Sequence, residues 1–295
     1  MTGQSTVPSI TPAADPTVVR GGPPRAQTRL LRGTRPLKRW RYVGVFCDEL
    51  MACAAIVQVG PARQSFWALH DRRLQSMRER TRLLPRRGEV ELLRGSSGPA
   101  GSEPGRLRIR DRGVALELVL EERPGIQALC PHGRAEVWTC KQAGVAAHGS
   151  LSVDDGPSRP IEALAVIDDT AGHHARETEW HWSAGVGEGA DGGPVAWNLV
   201  SGVNDPDSGS ERAIWVAGEP HEVPPVSFAG DLSAIRGQDG SQLLFAAEAE
   251  RARHENLLLI ESDYRAPFGT FSGALPGGIE LARGYGVVEH HRARW

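Results

Sequence analysis

Hydrophobic and polar residues alternate most cleanly between Arg106 and Glu121. There Val114, Leu116, Leu118 and Leu120 share one face, and Glu117 and Glu121 the other. A period of two is that of an extended strand buried on one side. Apolar stretches of similar length recur along the chain. Trp40–Phe46, Leu50–Val59 and Gln64–His70 come first. Ala135–Cys140, Ile161–Ile167, Glu179–Val186, Val195–Val203, Arg212–Val216 and Val223–Phe228 follow, and Leu257–Ser262, Phe268–Ala274 and Gly284–Trp295 close the series. Gly, Pro, Asp and Asn punctuate the gaps. Many short strands at even spacing predict an all-β barrel or sandwich. Two segments complicate this pattern. Leu74–Arg87 reads as a short helix ended by Pro85. Gln242–Asn256 has a helix-favouring composition, but Leu243, Phe245, Ala247 and Ala249 alternate, which favours strand.

The pattern also divides the chain. Residues 1–35 are rich in Thr, Pro, Gly, Ser and Arg and carry little apolar periodicity, so a disordered tail is expected there. Gly95–Gly105 reads as a flexible loop, and the run Asp154–Pro160 as a linker. The expected organisation is two antiparallel β modules, 36–160 and 161–295, with short helical insertions.

Charge adds one feature. Net charge is −2, but residues 1–112 hold 21 Lys/Arg against 9 Asp/Glu, and the remainder is correspondingly acidic. A basic region can engage an anionic partner such as nucleic acid. The Arg residues are scattered and not interleaved with aromatics as a strand-binding platform requires, so mutual docking of the two halves is favoured. Cys47, Cys53, Cys130 and Cys140 form no CxxC pair, and Cys47 and Cys53 read as small core residues. The longest apolar run, Leu50–Val57, is too short to span a bilayer, and the first residues carry no leader-like apolar stretch. A cytoplasmic protein is expected.

Candidate chemistry concentrates in the last strand. If Gly284–Trp295 is extended, Tyr285, Val287, Glu289, His291, Ala293 and Trp295 share a face. In a low-dielectric interior, Glu289 and His291 become candidates for acid–base work. A structural pair at a barrel end is the competing reading. Between His173 and His181 the chain carries His173, His174, Glu177, Glu179 and His181. HExxH is missing, and the alternation of Trp180 and Trp182 with Glu179 and His181 is strand behaviour that would spread ligands apart, so no metal is expected. Trp180 and Trp182 read as packing or as an apolar ligand wall, with His174 a polar contact at its mouth. Asn198, mid-strand, needs hydrogen-bond partners, and Trp197 and Tyr285 extend the expected wall. No GxSxG elbow occurs, and Gly185–Gly189 lacks the helix a nucleotide loop requires, so no cofactor is expected.

Several of these segments together resemble a bacterial family catalogued as domain of unknown function 2804. They are Arg39–Tyr42, Asp168–His174, Glu179–Trp182, Trp197–Asn204, Ser262–Gly273 (which contains Tyr264) and Gly284–His291, with a terminal Trp. The resemblance spans residues 36–295 and is densest towards the C-terminus. It implies a fold similar to the lipocalin-like two-barrel proteins that include carotenoid hydratases and tocopherol cyclases. Those bind long apolar molecules and protonate double bonds with acidic side chains. The chain departs from the Gly-x-Trp start of lipocalins, and no catalytic residue is transferred from the resemblance. Two readings stay open. One is a lipid- or isoprenoid-like ligand bound in a β-barrel cavity, with Trp180, Trp182, Trp197, Asn198, His174, Tyr264 and Tyr285 around it. The other is a hydratase, isomerase or cyclase on an apolar substrate, with Glu289 as proton donor and His291 tuning it.

Overall fold

The computed structural model describes residues 23–98, 101–257 and 260–294. A 3-10 turn at Arg25–Thr28 and a two-stranded hairpin, β1 (Leu31–Arg32) and β2 (Arg35–Pro36), precede the first large sheet. That sheet comprises β3 (Lys38–Phe46), β4 (Leu50–Val59), β5 (Ala62–Asp71), β6 (Ser76–Arg82), β7 (Val90–Leu93), β10 (Gly105–Asp111), β11 (Val114–Leu120), β12 (Ile126–His132), β13 (Ala135–Val153) and β14 (Arg159–Gly172). Between β7 and β10 lies a small hairpin, β8 (Ser96–Gly98) with β9 (Gly101–Glu103). The second sheet comprises β15 (Glu177–Gly189), β16 (Pro194–Ser201), β17 (Ala213–Val216), β18 (Glu219–Glu222), β19 (Val226–Phe228), β20 (Ala234–Gly237), β21 (Gln242–Leu257), β22 (Ile260–Leu275) and β23 (Ile279–Arg294).

The first sheet runs β6-β5-β4-β3-β14-β13-β11-β10-β7, with β12 also on β13; the second runs β18-β17-β16-β15-β23-β22-β21-β20-β19. The fold is all-β and barrel-like. The expected helix at Leu74–Arg87 is instead the edge strand β6, paired from Ser76 to Arg82 with β5. Leu74 is exposed and Gln75 takes a left-handed φ of 49° at the turn. The apolar spacing that suggested a helix therefore belongs to a hairpin, where tertiary pairing overrides propensity. Among the described residues the only helical element is the turn at Arg25–Thr28. Gln242–Asn256 is strand, within β21. Residues 154–158 form the connection of the β13–β14 hairpin, and the chain passes from the first sheet to the second between Gly172 and Glu177. Of the expected tail, residues 1–22 lie outside the described residues, as do the middle of Leu257–Ser262 and Trp295.

Alternation sorts the apolar residues into layers. On β3 and β4, Val43, Val45, Leu50, Ala52 and Ala54 face the interior of the first sheet, together with Leu107, Leu116 and Leu118. Val195, Trp197, Leu199, Phe245, Phe271 and Val288 fill the interior of the second. The opposite faces meet each other. Tyr42, Phe46, Met51 and Cys53 from the first sheet pack on Trp182, Val200, Phe268 and Val287 from the second. Ring contacts cross this middle layer, with Tyr42 edge-on to Trp182 at 5.3 Å and Phe46 edge-on to Phe268 at 6.3 Å. The two curled sheets are thus filled by their own side chains, and the space left for a site lies between them.

Candidate functional site

At one end of the middle layer the two sheets part around a cavity of about 390 Å³. Its apolar wall comes from both sheets: Tyr42 and Trp40 from β3, Phe66 from β5, Trp180 and Trp182 from β15, and Tyr264 from β22. These positions are set by strand parity. Trp180 and Trp182 are two apart on β15, and Glu289 and His291 stand in register opposite them on β23. Arg251 of β21 lies over the rings of Phe66 (4.0 Å) and Tyr264 (4.8 Å), so its charge is stabilised by aromatic faces as well as by polar groups.

Glu289 is buried among these rings. Trp180 Nε1 donates to its Oε1 at 2.8 Å, and the Tyr264 hydroxyl also bonds to the carboxyl. Burial pushes its pKa up to about 7, against those hydrogen bonds and the nearby Arg251 charge, all of which favour the carboxylate. His291 does not share these bonds. Its Nε2 pairs with Ser262 Oγ at 2.8 Å, and its ring packs on Trp180 and Tyr264. Burial, reinforced by the charges of His290, Arg251 and Lys38, lowers its pKa to about 3, so the imidazole stays neutral. His291 therefore reaches Glu289 through the two residues that hold the carboxyl.

A second polar group also lines the cavity. Lys141 of β13 places Nζ 2.7 Å from Asp168 Oδ1 and 3.2 Å from Glu211 Oε1. Burial opposes the Lys141 charge, but the two carboxylates outweigh it and raise its pKa. Asp168 is further held by Trp40 Nε1 (2.8 Å) and Thr170 Oγ1 (2.8 Å). Glu211 accepts from Asn204 Nδ2 at 3.0 Å, and burial raises its pKa against the pull of Lys141. Asn204 and Glu211 sit on the irregular segment between β16 and β17, which Asn198 anchors by donating to the Glu211 carbonyl (2.8 Å).

The structure distributes the sequence-derived candidates unevenly. Glu289, His291, Trp180, Trp182, Tyr264 and His174 all line the cavity. His174 lies deep, edge-on to His132 and tilted against Trp40, and burial holds its pKa well below 6.5. Asn198 stands behind the wall, accepting from Trp182 Nε1 at 2.8 Å. Trp197 points the other way, as a neighbour of Asn198 in a strand must. It is enclosed in the core of the second sheet, with Nε1 donating to Ser183 Oγ at 3.1 Å. Tyr285 shares the face of Glu289 but lies towards the other end of β23, against Arg72 and hydrogen-bonded to Asp48. Lys141, Asp168, Glu211 and Asn204 escaped sequence reasoning because they converge from β13, β14 and the segment between β16 and β17, which are far apart along the chain. One signal was available: the chain has 34 Lys and Arg, of which only Lys38 and Lys141 are lysine, and both line this cavity.

No curated protein matches the chain significantly by sequence. Solved structures share its fold, and two of them illustrate the likeness. A Nitrosomonas europaea protein provisionally designated AttH superposes with a TM-score of 0.56 at 12% identity, covering 94% of this chain and 98% of its own. Kievitone hydratase from Nectria haematococca superposes with a TM-score of 0.52 at 13% identity, covering 86% of this chain and 88% of its own. At such identities the likeness is one of fold. Among the described residues no helix is long and apolar enough to cross a membrane. The family model for the domain of unknown function DUF2804 matches residues 105–295, and the chain belongs to that family.

Proposed function

We propose that the protein binds a small, mainly apolar molecule, lipid- or isoprenoid-like, in the cavity between its two sheets. The observation that carries this reading is the aromatic wall of Tyr42, Phe66, Trp180, Trp182 and Tyr264 around a space of about 390 Å³. That is the size and lining of a small-molecule site, with a few polar groups placed to orient the guest. The test is mass spectrometry of an organic extract from gently purified protein, paired with quenching of tryptophan fluorescence by apolar probes. A stoichiometric apolar molecule, or saturable quenching, supports the reading. An empty extract together with no quenching overturns it.

Glu289 favours a second reading, a hydratase, isomerase or cyclase acting on an alkene. With its pKa near 7 the carboxyl carries a proton in a large fraction of molecules at neutral pH, beside apolar rings. Transfer of that proton to an alkene carbon breaks the carboxyl O–H bond, forms a C–H bond and leaves a carbocation facing Trp180 and Trp182, whose ring faces attract positive charge. Addition of water, with its proton returned to the Glu289 carboxylate, is hydration. Loss of a neighbouring proton to that carboxylate is isomerisation. The same fold houses an enzyme named as a hydratase in Nectria haematococca. Under this reading Glu289→Gln retains ligand binding and abolishes turnover of an alkene substrate; unchanged turnover overturns it.

A further inference from the structure

The Lys141 group in the cavity wall is a built polar subsite with one donor and one acceptor left over. Lys141 Nζ has three N–H bonds, and its partners, Asp168 and Glu211, take two of them. Asp168 accepts from Lys141 and Thr170 on one oxygen and from Trp40 on the other, and Glu211 accepts from Lys141 and Asn204, so both carboxylates are engaged. Asn204 presents the complement. Its Nδ2 donates to Glu211, which fixes the amide orientation, and its Oδ1 is left buried without a partner. The residue is only 8% exposed and lines the cavity. It is also held at a left-handed φ of 55°, a conformation that Asn tolerates better than most residues. Buried acceptors are rarely left unpaired, so this acceptor on a cavity-lining residue has room for one more donor.

Glu211 bridges the two groups, touching Lys141 through Oε1 and Asn204 through Oε2. Both residues line the cavity beside this one carboxylate, so a guest's polar group set against Glu211 has both as neighbours. The chemistry selects what it is. A carboxylate would meet Asn204 Oδ1 and two existing carboxylates. An ammonium would meet Lys141. A ketone or ether could accept from Lys141 but would leave Asn204 Oδ1 unpaired. Of the groups common on apolar molecules, a hydroxyl both accepts and donates through one neutral oxygen and so matches the pair with a single atom. We infer that Lys141 and Asn204 form a hydroxyl-recognition subsite, so that the guest is a hydroxylated apolar molecule, an alcohol or phenol whose oxygen accepts from Lys141 Nζ and whose proton goes to Asn204 Oδ1. This rests on the ligand-binding reading above and narrows it to one substrate or product class.

Three two-ring probes of closely similar shape separate the possibilities by calorimetry on the full chain: naphthalene, 1-methoxynaphthalene and 1-naphthol. The expected order places 1-naphthol about tenfold or more tighter than 1-methoxynaphthalene, which accepts but cannot donate. Asn204→Gly keeps the left-handed backbone and removes the acceptor. In that variant the ratio of 1-naphthol to 1-methoxynaphthalene affinity should fall to within about twofold. Equal affinity of the wild type for the ether and the phenol overturns the subsite and leaves the apolar cavity standing. A preference that survives intact in Asn204→Gly overturns it as well. Binding of none of the three overturns both this inference and the reading on which it rests. If Asn204→Gly does not fold, the wild-type comparison of ether and phenol decides alone.

Discussion

A carboxyl group that keeps its proton near neutrality leaves a mark on stability. Glu289 has an ordinary pKa of 4.5 and a folded-state value of about 7. Its contribution is fully present below 4.5 and is lost as pH rises through about 7, because there the unfolded chain releases a proton that the folded chain must hold or bury as charge. The stability advantage of the wild type over Glu289→Gln should therefore shrink by about 3 kcal/mol between pH 4.5 and pH 8, read from urea midpoints at each pH. His291 acts in the opposite sense. Its contribution is present above its ordinary value of 6.5 and lost as pH falls through about 3, and the comparison of two proteins at each pH cancels it. A gap that does not change with pH would mean that Glu289 is ionised in the fold. That Glu289 and His291 share a buried face was legible in the alternation of the last strand. Their different partners were not, because Trp180, Tyr264 and Ser262 arrive from neighbouring strands whose register no local pattern encodes.

The element that completes the cavity is an irregular one. Between β16 and β17, the segment from Gly202 to Arg212 carries both Asn204 and Glu211. It is pinned at each end. Gly202 takes a φ of 91°, and a Cβ there would lie 2.5 Å from the carbonyl oxygen of Glu179. Arg212 is fully buried and donates through Nε to the Val223 carbonyl (3.2 Å) and through Nη2 to the Pro206 carbonyl (2.6 Å). Gly202→Ala meets both a disfavoured backbone and a collision with main chain, so it should cost roughly 2 kcal/mol or more, seen as a lower urea midpoint at unchanged slope. Because Asn204 is two residues away, the same variant should weaken binding of 1-naphthol more than that of naphthalene. A midpoint at the wild-type value would show that the segment gives way easily and does not hold Asn204 in place. Sequence patterns found the strands on either side of this segment, since their apolar alternation is local. They could not find the segment's role, which depends on Lys141 reaching across from the other sheet. The helix expected at Leu74–Arg87 failed for a related reason: an edge strand flanked by exposed Leu74, Leu83 and Leu84 shows weak alternation, and only its pairing with β5 defines it.

Across the molecule, the uneven charge of the chain is used internally. Arg41 from the basic first part pairs with Glu122 and Asp169, Arg72 with Glu248, and Arg78 with Asp154, all in the acidic remainder. The Arg72–Glu248 pair, at 2.7 Å, also joins the first sheet to the second, as does Lys141–Glu211. Apolar packing makes the stronger connection. The middle layer gives each sheet a second buried face, so separating the sheets would expose Tyr42, Phe46 and Met51 on one side and Trp182, Phe268 and Val287 on the other. Each sheet also has its own interior core, which leaves two ways for the chain to unfold: sheet by sheet, or all at once. Phe268 distinguishes them. It is 1% exposed, lies in the second sheet and packs edge-on against Phe46 of the first. If the middle layer couples the sheets, Phe268→Ala should lower stability by about 3–5 kcal/mol in a single transition, with circular dichroism and tryptophan fluorescence still coincident. Coupling of this kind would make cavity shape a property of the whole fold, since no wall residue could relax without disturbing both sheets. Two separated transitions in the variant, one per sheet, would instead mean that the sheets stand independently and that the cavity between them can open by a change in their relative position.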